Sequence, residues 1–362
     1  MRIAFRVDAS LQIGTGHVMR CLTLADALRE RGAHCTFVYR PHAGHLLDLI
    51  TQRGHQAIAL REPQKGYRAA ANPAHAAWLG TSWADDAEQT LQVLAGQVVD
   101  WLIVDHYALD WRWEQVLRDI NVRIMVIDDL ADRSHDCDLL LDQTYGRLAA
   151  DYVSLVQKSC KLLCGSQYAL LAPEFAALRE YSLKRREQPV LKDLLITMGG
   201  VDKDNVTGVV LNALRTCSLP EDCRLTVVMG QTAPWLQEVK KLAFIMPWPT
   251  RVLVGVSDMA QLMADSDLAI GAAGATAWER CCLGLPSIML VVADNQMKIA
   301  NELEQNGAAL LCLSFSDLQS KIDSLLKLLC NDCQKITFMC KAASKVVDGA
   351  GTHSVLKLMS LA

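Results

Sequence analysis

The sequence predicts an α/β protein of two Rossmann-like, doubly wound domains, residues 1–186 and 187–362, facing across a cleft. Three observations predict it. Apolar runs of strand length alternate with stretches of helical periodicity along the whole chain, the pattern of a parallel sheet with crossover helices. The strand runs are nearly continuous, as in Asp100-Trp-Leu-Ile-Val-Asp105, which suits strands covered on both faces. The opening layout of strand, glycine turn and helix mouth recurs beyond a charged, proline-containing stretch, Glu187-Gln-Pro-Val190, that reads as a linker.

In the first half, Arg2-Ile-Ala-Phe-Arg-Val7 reads as a strand. From Val18, apolar residues recur at helical spacing (Val18, Cys21, Leu22, Leu24, Ala25, Leu28), and Gly32 supplies a stop. Gly14, Thr15 and Gly16 therefore form a tight strand-to-helix turn, with His17 in the first helical turn. Free N–H groups and the positive dipole end favour an anion there, and a histidine can accept a proton beside it. The alternative is a merely polar first-turn residue. The spacing G-x-G-H does not match the dinucleotide fingerprint G-x-G-x-x-G.

Residues 35–39 give a second strand, 46–53 a helix and 56–60 a short strand. Residues 61–83, which carry Tyr67, Trp78 and Trp83, form a long loop on the site side of the sheet, and long loops in compact domains are often functional. A helix over 85–94 precedes the strand that ends in Asp105-His106-Tyr107, at the carboxyl edge where open α/β sheets put ligands. A helix over 110–120, strands over 123–127, 139–141 and 162–164, and a bridging helix over 174–186 complete this half. Acids follow four strands, at Asp8, Asp105, Asp128 and Asp142. Most are expected to cap the next helix or turn, and at most one or two to reach a substrate.

In the second half, 193–197 is a strand, Met198-Gly199-Gly200 a turn, and Asp202 to Asn205 open a helix running to about 216. Asp202-Lys-Asp204 resembles a metal-binding D-x-D, but its place at a helix start favours N-capping. Strands follow over 225–229, 251–254 and 267–270. Gly271-Ala-Ala-Gly274-Ala275-Thr276-Ala-Trp-Glu279 is a small-residue turn running into a helix. Thr276 and Glu279 fit a capping box. Alternatively, the small residues admit a phosphate to backbone N–H groups while Glu279 accepts from a ribose diol. Both readings stand on local pattern. A strand over 286–292, a helix from Asp294-Asn295-Gln296, a last strand over 308–313 and further helices follow, the terminal one (352–361) able to cross back to the first domain.

A net charge of -4 argues against a nucleic-acid-binding surface, and no segment approaches the ~20 apolar residues that span a bilayer. There is no signal-peptide pattern, and the 13 cysteines lack framework spacing, so reduced thiols and a cytoplasmic location are expected. Cys330-Asn-Asp-Cys333 has no second pair and no histidine at ligand spacing, and Cys281-Cys282 reads as packing. No metal and no cofactor is expected.

A diphosphate site in one half and a histidine in the other suit chemistry on a nucleotide-linked group. The string Gly274-Ala-Thr-Ala-Trp-Glu279, with Gly284-Leu-Pro-Ser-Ile288, Asn295-Gln296, Asn301-Glu-Leu303 and Gly307, resembles the nucleotide-binding half of the GT-B glycosyltransferases, particularly the MurG-like ones. Arg6-Val-Asp-Ala-Ser10 and Ile13-Gly-Thr-Gly-His-Val-Met-Arg20 are more specific. With Asp128-Asp-Leu-Ala-Asp-Arg133, Leu140-Leu-Asp-Gln143, the run from Tyr168 to Phe175, and Gly199-Gly-Val-Asp-Lys-Asp-Asn205, they resemble the UDP-2,4-diacetamido-2,4,6-trideoxy-sugar hydrolases of pseudaminic acid biosynthesis. The resemblance implies a GT-B-like fold and metal-independent attack of water on the anomeric carbon, with inversion. UDP and a free sugar, destined for flagellin or a surface glycan, are released.

The resemblance further implies His17 as general base and Glu279 as the ribose-binding acid, with Asn205 and Asn295 near the nucleotide or sugar. Gly14, Thr15, Gly16, Gly199, Gly200, Gly274, Ala275 and Thr276 would line the substrate. Ala172 stands where relatives often carry arginine, and Arg6 and Arg20 are the nearest replacements by motif. The alternatives are a GT-B glycosyltransferase passing the sugar to an acceptor, and a nucleotide-sugar-binding protein without catalysis. The expected partner is a small UDP-sugar, with no nucleic acid and no membrane. Oligomeric state is left open, a monomer included.

Overall fold

A computed structural model describes residues 1–313 and 317–361. Its contacts group residues 1–170 with those from Gly351 onward, and Leu171–Ala350 into a second unit. The sequence reading set the division at 186/187.

The first unit contains β1 (Arg2–Val7), α1 (Gly16–Glu30), β2 (His34–Tyr39), α2 (Leu47–Gln52), β3 (Gln56–Ala59), α3 (Trp83–Leu94), β4 (Trp101–Asp105), α4 (Trp111–Leu117), β5 (Arg123–Ile127), β6 (Leu139–Asp142) and β7 (Lys161–Cys164). The strands form one parallel sheet in the order β3-β2-β1-β4-β5-β6-β7. Side-chain alternation splits each central strand between two cores. Phe5, Phe37, Ile103 and Met125 pack under α1, with Phe5 and Phe37 stacked at 4.8 Å. Ala4, Leu102, Val104 and Val126 pack with Trp113 and Leu117 of α4. Both faces are thus covered, as the continuous apolar runs require. Within the expected 61–83 loop, Ala76–Leu79 form a 3-10 turn, and α3 already begins at Trp83 behind a Ser82 N-cap.

The second unit contains α5 (Pro173–Arg185), β8 (Asp193–Thr197), α6 (Val206–Leu214), β9 (Arg224–Met229), α7 (Leu236–Phe244), β10 (Thr250–Val254), α8 (Met259–Asp265), β11 (Leu268–Ala272), α9 (Thr276–Cys282), β12 (Ser287–Leu290), α10 (Met297–Gln305), β13 (Ala309–Cys312), α11 (Leu318–Asn331) and α12 (Cys333–Ser344). The terminal helix α13 (Gly351–Leu361) packs on α1 in the first unit. The second sheet is also parallel, in the order β10-β9-β8-β11-β12-β13. Its core joins Leu194, Ile196, Val227, Ile270 and Ile288 to Val210 and Leu214 of α6 and Ile322 and Leu326 of α11.

Each sheet builds three strands outward in one direction and then returns to the other side of its first strand. The strand order therefore reverses between β1 and β4, and again between β8 and β11. Ligands of doubly wound sheets bind beyond the carboxyl ends at such reversals, because the crossovers diverge there and leave a crevice. No described helix is long and apolar enough to cross a membrane, and no described cluster of His, Cys, Asp and Glu could hold a metal ion.

Candidate active site

The reversal point of the first sheet holds the histidine. After β1, the Ser10 hydroxyl accepts from the N–H groups of Gln12 and Ile13, and the Gly14 N–H donates to the Ser10 carbonyl at 2.8 Å. Gly14 closes this turn at φ +81°, a conformation that favours glycine. Thr15 is the N-cap of α1 and supplies no side-chain hydrogen bond, so the helix mouth is left uncapped. His17 follows in the first turn, buried except for its edge.

Asp105, at the last position of β4, reaches His17 Nδ1 at 2.6 Å. Arg20, one helical turn beyond His17, donates to both oxygens of the same carboxylate at 2.7 Å. Burial alone would push the Asp105 carboxyl up, but Arg20 and His17 outweigh it and hold it below the usual carboxylate range. An ionised carboxylate only accepts hydrogen bonds, so Nδ1 of His17 carries the proton. In the neutral ring the free lone pair is therefore on Nε2, which has no hydrogen-bond partner among the described residues. Tyr107 packs edge-on against the imidazole, with centroids 4.5 Å apart. Trp78 from the 61–83 loop stacks on Tyr107 at 5.7 Å.

The reversal point of the second sheet holds the small-residue turn. Helix α9 begins at Thr276 with Ala275 as an N-cap that makes no side-chain hydrogen bond, so the capping box does not form. The Thr276 hydroxyl instead lies 3.4 Å from Arg280 Nη1. Glu279 is consequently unengaged: its half-buried carboxyl has no hydrogen-bond partner among the described residues. Burial pushes it up to about 7, with neighbouring Arg280 opposing. Arg280 is fully buried beneath the turn, donates to the Ala272 carbonyl at 2.8 Å and has no carboxylate in salt-bridge range among the described residues. Its room exists because residue 271 is glycine: a Cβ there would stand 2.4 Å from Arg280 Nη1. Across the turn, the Gln296 carboxamide lies 3.8 Å from where a Gly274 side chain would begin.

Several expectations change in this light. Arg6 is corrected from a substrate contact to a scaffold residue: it is wholly buried, and its guanidinium binds Asp8 and Asp86 at 2.7–3.0 Å, leaving no face for a ligand. Arg20 is likewise taken up, by Asp105 and Asp129. Asn205 is the N-cap of α6 and accepts from Gly208 N–H at 3.2 Å, while Asp202 accepts from Val206 and Thr207 N–H at 2.8 and 2.9 Å. Asp202 is thus a capping acid, and it fills the helix mouth beyond Gly199 and Gly200, two glycines expected to line the substrate. Asn295 sits half-buried in the 3-10 turn Asp294–Gln296, beside the Gln296 that reaches the Gly274 turn.

Among the strand-end acids, Asp128 and Asp142 do accept turn N–H groups, from Ala131 and Thr144. Asp105 instead engages side chains, whereas the sequence had placed it among acids expected mostly to cap and at most in one or two cases to reach a substrate. Tyr107 had been placed only at the ligand-binding edge, and Asp129, Arg280 and Gln296 had been given no role. The only local signal for them was position, at or just beyond a strand's carboxyl end or beside a glycine turn.

Residues 194–352 match the glycosyltransferase family 28 C-terminal domain. A UDP-2,4-diacetamido-2,4,6-trideoxy-beta-L-altropyranose hydrolase from Campylobacter jejuni is 25% identical over 308 residues, covering 85% of this chain and 97% of the relative. The spore coat polysaccharide biosynthesis protein SpsG of Bacillus subtilis is 24% identical over 86% of this chain and 83% of its own. The crystal structure of Acinetobacter baumannii MurG superposes with a TM-score of 0.67 at 17% identity, covering 100% of this chain and 99% of its own. The chain therefore has the GT-B fold seen in MurG, matches the glycosyltransferase family 28 C-terminal domain over residues 194–352, and is similar over most of its length to a UDP-sugar hydrolase.

Proposed function

We propose that this protein is a cytoplasmic, metal-independent hydrolase of a UDP-linked 2,4-diacetamido-2,4,6-trideoxy sugar, acting in pseudaminic acid biosynthesis. The observation that carries the reading is the His17–Asp105 pair, which fixes the imidazole with Nε2 free to take a proton. Nε2 removes a proton from the attacking water as its oxygen bonds to the anomeric carbon from the face opposite UDP. The bond from that carbon to the diphosphate oxygen breaks, UDP departs with the electron pair, and the configuration inverts. General-base help of this kind typically contributes ~10²–10⁴-fold, or roughly 3–5 kcal/mol of barrier. The leaving diphosphate needs charge stabilisation more than protonation. The uncapped turn from Gly274 to Thr276 and the buried Arg280 supply positive potential in the unit assigned to UDP. Glu279 accepts from the ribose hydroxyls.

The test is His17→Asn, assayed for UDP release from the UDP-sugar and for UDP binding. Turnover is expected to fall by ~10²–10⁴-fold with UDP binding retained. Undiminished turnover would remove His17 from the mechanism. The family 28 match favours one competitor, a glycosyltransferase. UDP and free sugar produced with water as the sole acceptor distinguish the hydrolase.

A further inference from the structure

We propose that Asp129 is a positioning residue for His17, the closing link of a five-residue ring that holds the imidazole from two sides. The ring runs through three elements. His17 and Arg20 lie on α1, Asp105 and Tyr107 at the end of β4, and Asp129 beyond the end of β5. Asp105 holds His17 Nδ1 at 2.6 Å and Arg20 at 2.7 Å. Arg20 Nη1 donates to both oxygens of Asp129, at 3.0 and 2.8 Å. The Tyr107 hydroxyl donates to Asp129 Oδ2 at 2.5 Å, and the Tyr107 ring packs edge-on against His17. Asp129 itself makes no described contact with His17. It anchors both arms, and its bonds to Arg20 and Tyr107 are charge-assisted.

Charge balance gives Asp129 a second effect. Arg20 Nη2 lies 3.4 Å from His17 Nδ1, where a cation opposes the imidazolium that forms on proton transfer. Asp105 at the end of β4 and Asp129 beyond β5 face that cation, while His75 of the 61–83 loop and Arg133 lie against the Tyr107 ring, at 5.4 and 5.9 Å. Neutralising Asp129 leaves Arg20 half-compensated next to the ring. A purely structural Asp129 would not predict a changed His17 tautomer in a folded variant.

The inference rests on His17 being the base, so the experiment reads positioning apart from turnover. Asp129→Asn and Tyr107→Phe are compared with the parent by kcat and KM on the UDP-sugar and by ¹⁵N–¹H NMR of the His17 imidazole. Asp129→Asn is expected to lower kcat about 10–100-fold with KM unchanged. The Nδ1 proton of His17 should exchange faster or share its place with Nε2. Tyr107→Phe, which removes a single arm, should show a smaller loss of the same kind. A parent-like His17 spectrum in both variants overturns the proposal, even if turnover falls. Parent-like kcat in both overturns it equally. If Asp129→Asn does not fold, the Tyr107→Phe spectrum alone decides. If the parent itself hydrolyses no UDP-sugar, the assigned reaction fails while the spectra still judge the ring.

Discussion

Replacing Asp105 by asparagine is the sharpest test of the catalytic reading. One oxygen of Asp105 accepts from His17 Nδ1 at 2.6 Å and from Arg20 Nη2 at 2.7 Å, and the other accepts from Arg20 Nε at 2.7 Å. The Cys21 thiol also donates to that second oxygen, at 3.5 Å, so an asparagine has one oxygen for four donors, and its NH₂ must face either Arg20 or His17. If it faces His17, Nδ1 becomes the acceptor and the proton moves to Nε2, so the base is lost. If it faces Arg20, a nearly buried guanidinium loses its bond there. The first outcome forfeits the general-base contribution, so kcat should fall ~10²–10⁴-fold, or roughly 3–5 kcal/mol of barrier. The second leaves a buried charge half-paired, and breaking such a pair costs about 3–5 kcal/mol of stability. The assay is steady-state UDP release, with UDP affinity by calorimetry and a thermal melt as controls. A melt and a kcat both indistinguishable from the parent would refute the argument, since neither arrangement of the amide is neutral.

Further outcomes follow from the second unit. Glu279→Ala should raise KM, because the ribose loses its acceptor, and an unchanged KM would count against that contact. A Glu279 carboxyl at about 7 is partly protonated at neutral pH, and the diol is best accepted by the ionised form. UDP binding should therefore release protons and tighten as pH rises through about 7, and Glu279→Gln should flatten that dependence. The same shift lies above the unfolded value of ~4.3, so the folded state holds its proton more tightly and Glu279 erodes stability as pH rises between the two values. In Glu279→Gln that part of the slope in a pH series of thermal melts should vanish. Gly271→Ala should destabilise by about 1–3 kcal/mol, as overpacking does, since its Cβ would stand 2.4 Å from Arg280 and 2.9 Å from the Thr197 carbonyl. A denaturant midpoint equal to the parent's would show that Arg280 moves freely.

Much of the fold was legible because its signals are local. The periodicity around Val18 to Leu28, the continuous run at Asp100 to Asp105 and the repeated glycine turns each depend on residues a few positions apart. His17 and Glu279 could be picked out for the same reason, each following a small-residue turn at a helix mouth. Arg6 was misread because proximity to a motif says nothing about direction. Strand parity sets Arg6 with Ala4, on the face opposite Ile3, Phe5 and Val7, where Asp86 of α3 takes its guanidinium. That parity was available in the sequence. The capping box failed for a different reason: Thr276 and Glu279 have the right spacing, but the helix starts at Thr276 itself, leaving Ala275 at the cap.

The sequence by itself determined two α/β halves, their strands and turns, and the helix mouths that carry His17 and Glu279. Those features arise from hydrophobic alternation and backbone chemistry within a few residues. Only the tertiary structure decided what the histidine can do. The bond that orients it joins positions 17 and 105, and the ring around it also brings in positions 20, 107 and 129. These residues meet because β4 pairs with β1 and β5 with β4, a strand order set by burial of both faces of the sheet. Free Nε2 on His17 is thus a consequence of topology, and no window along the chain contains it.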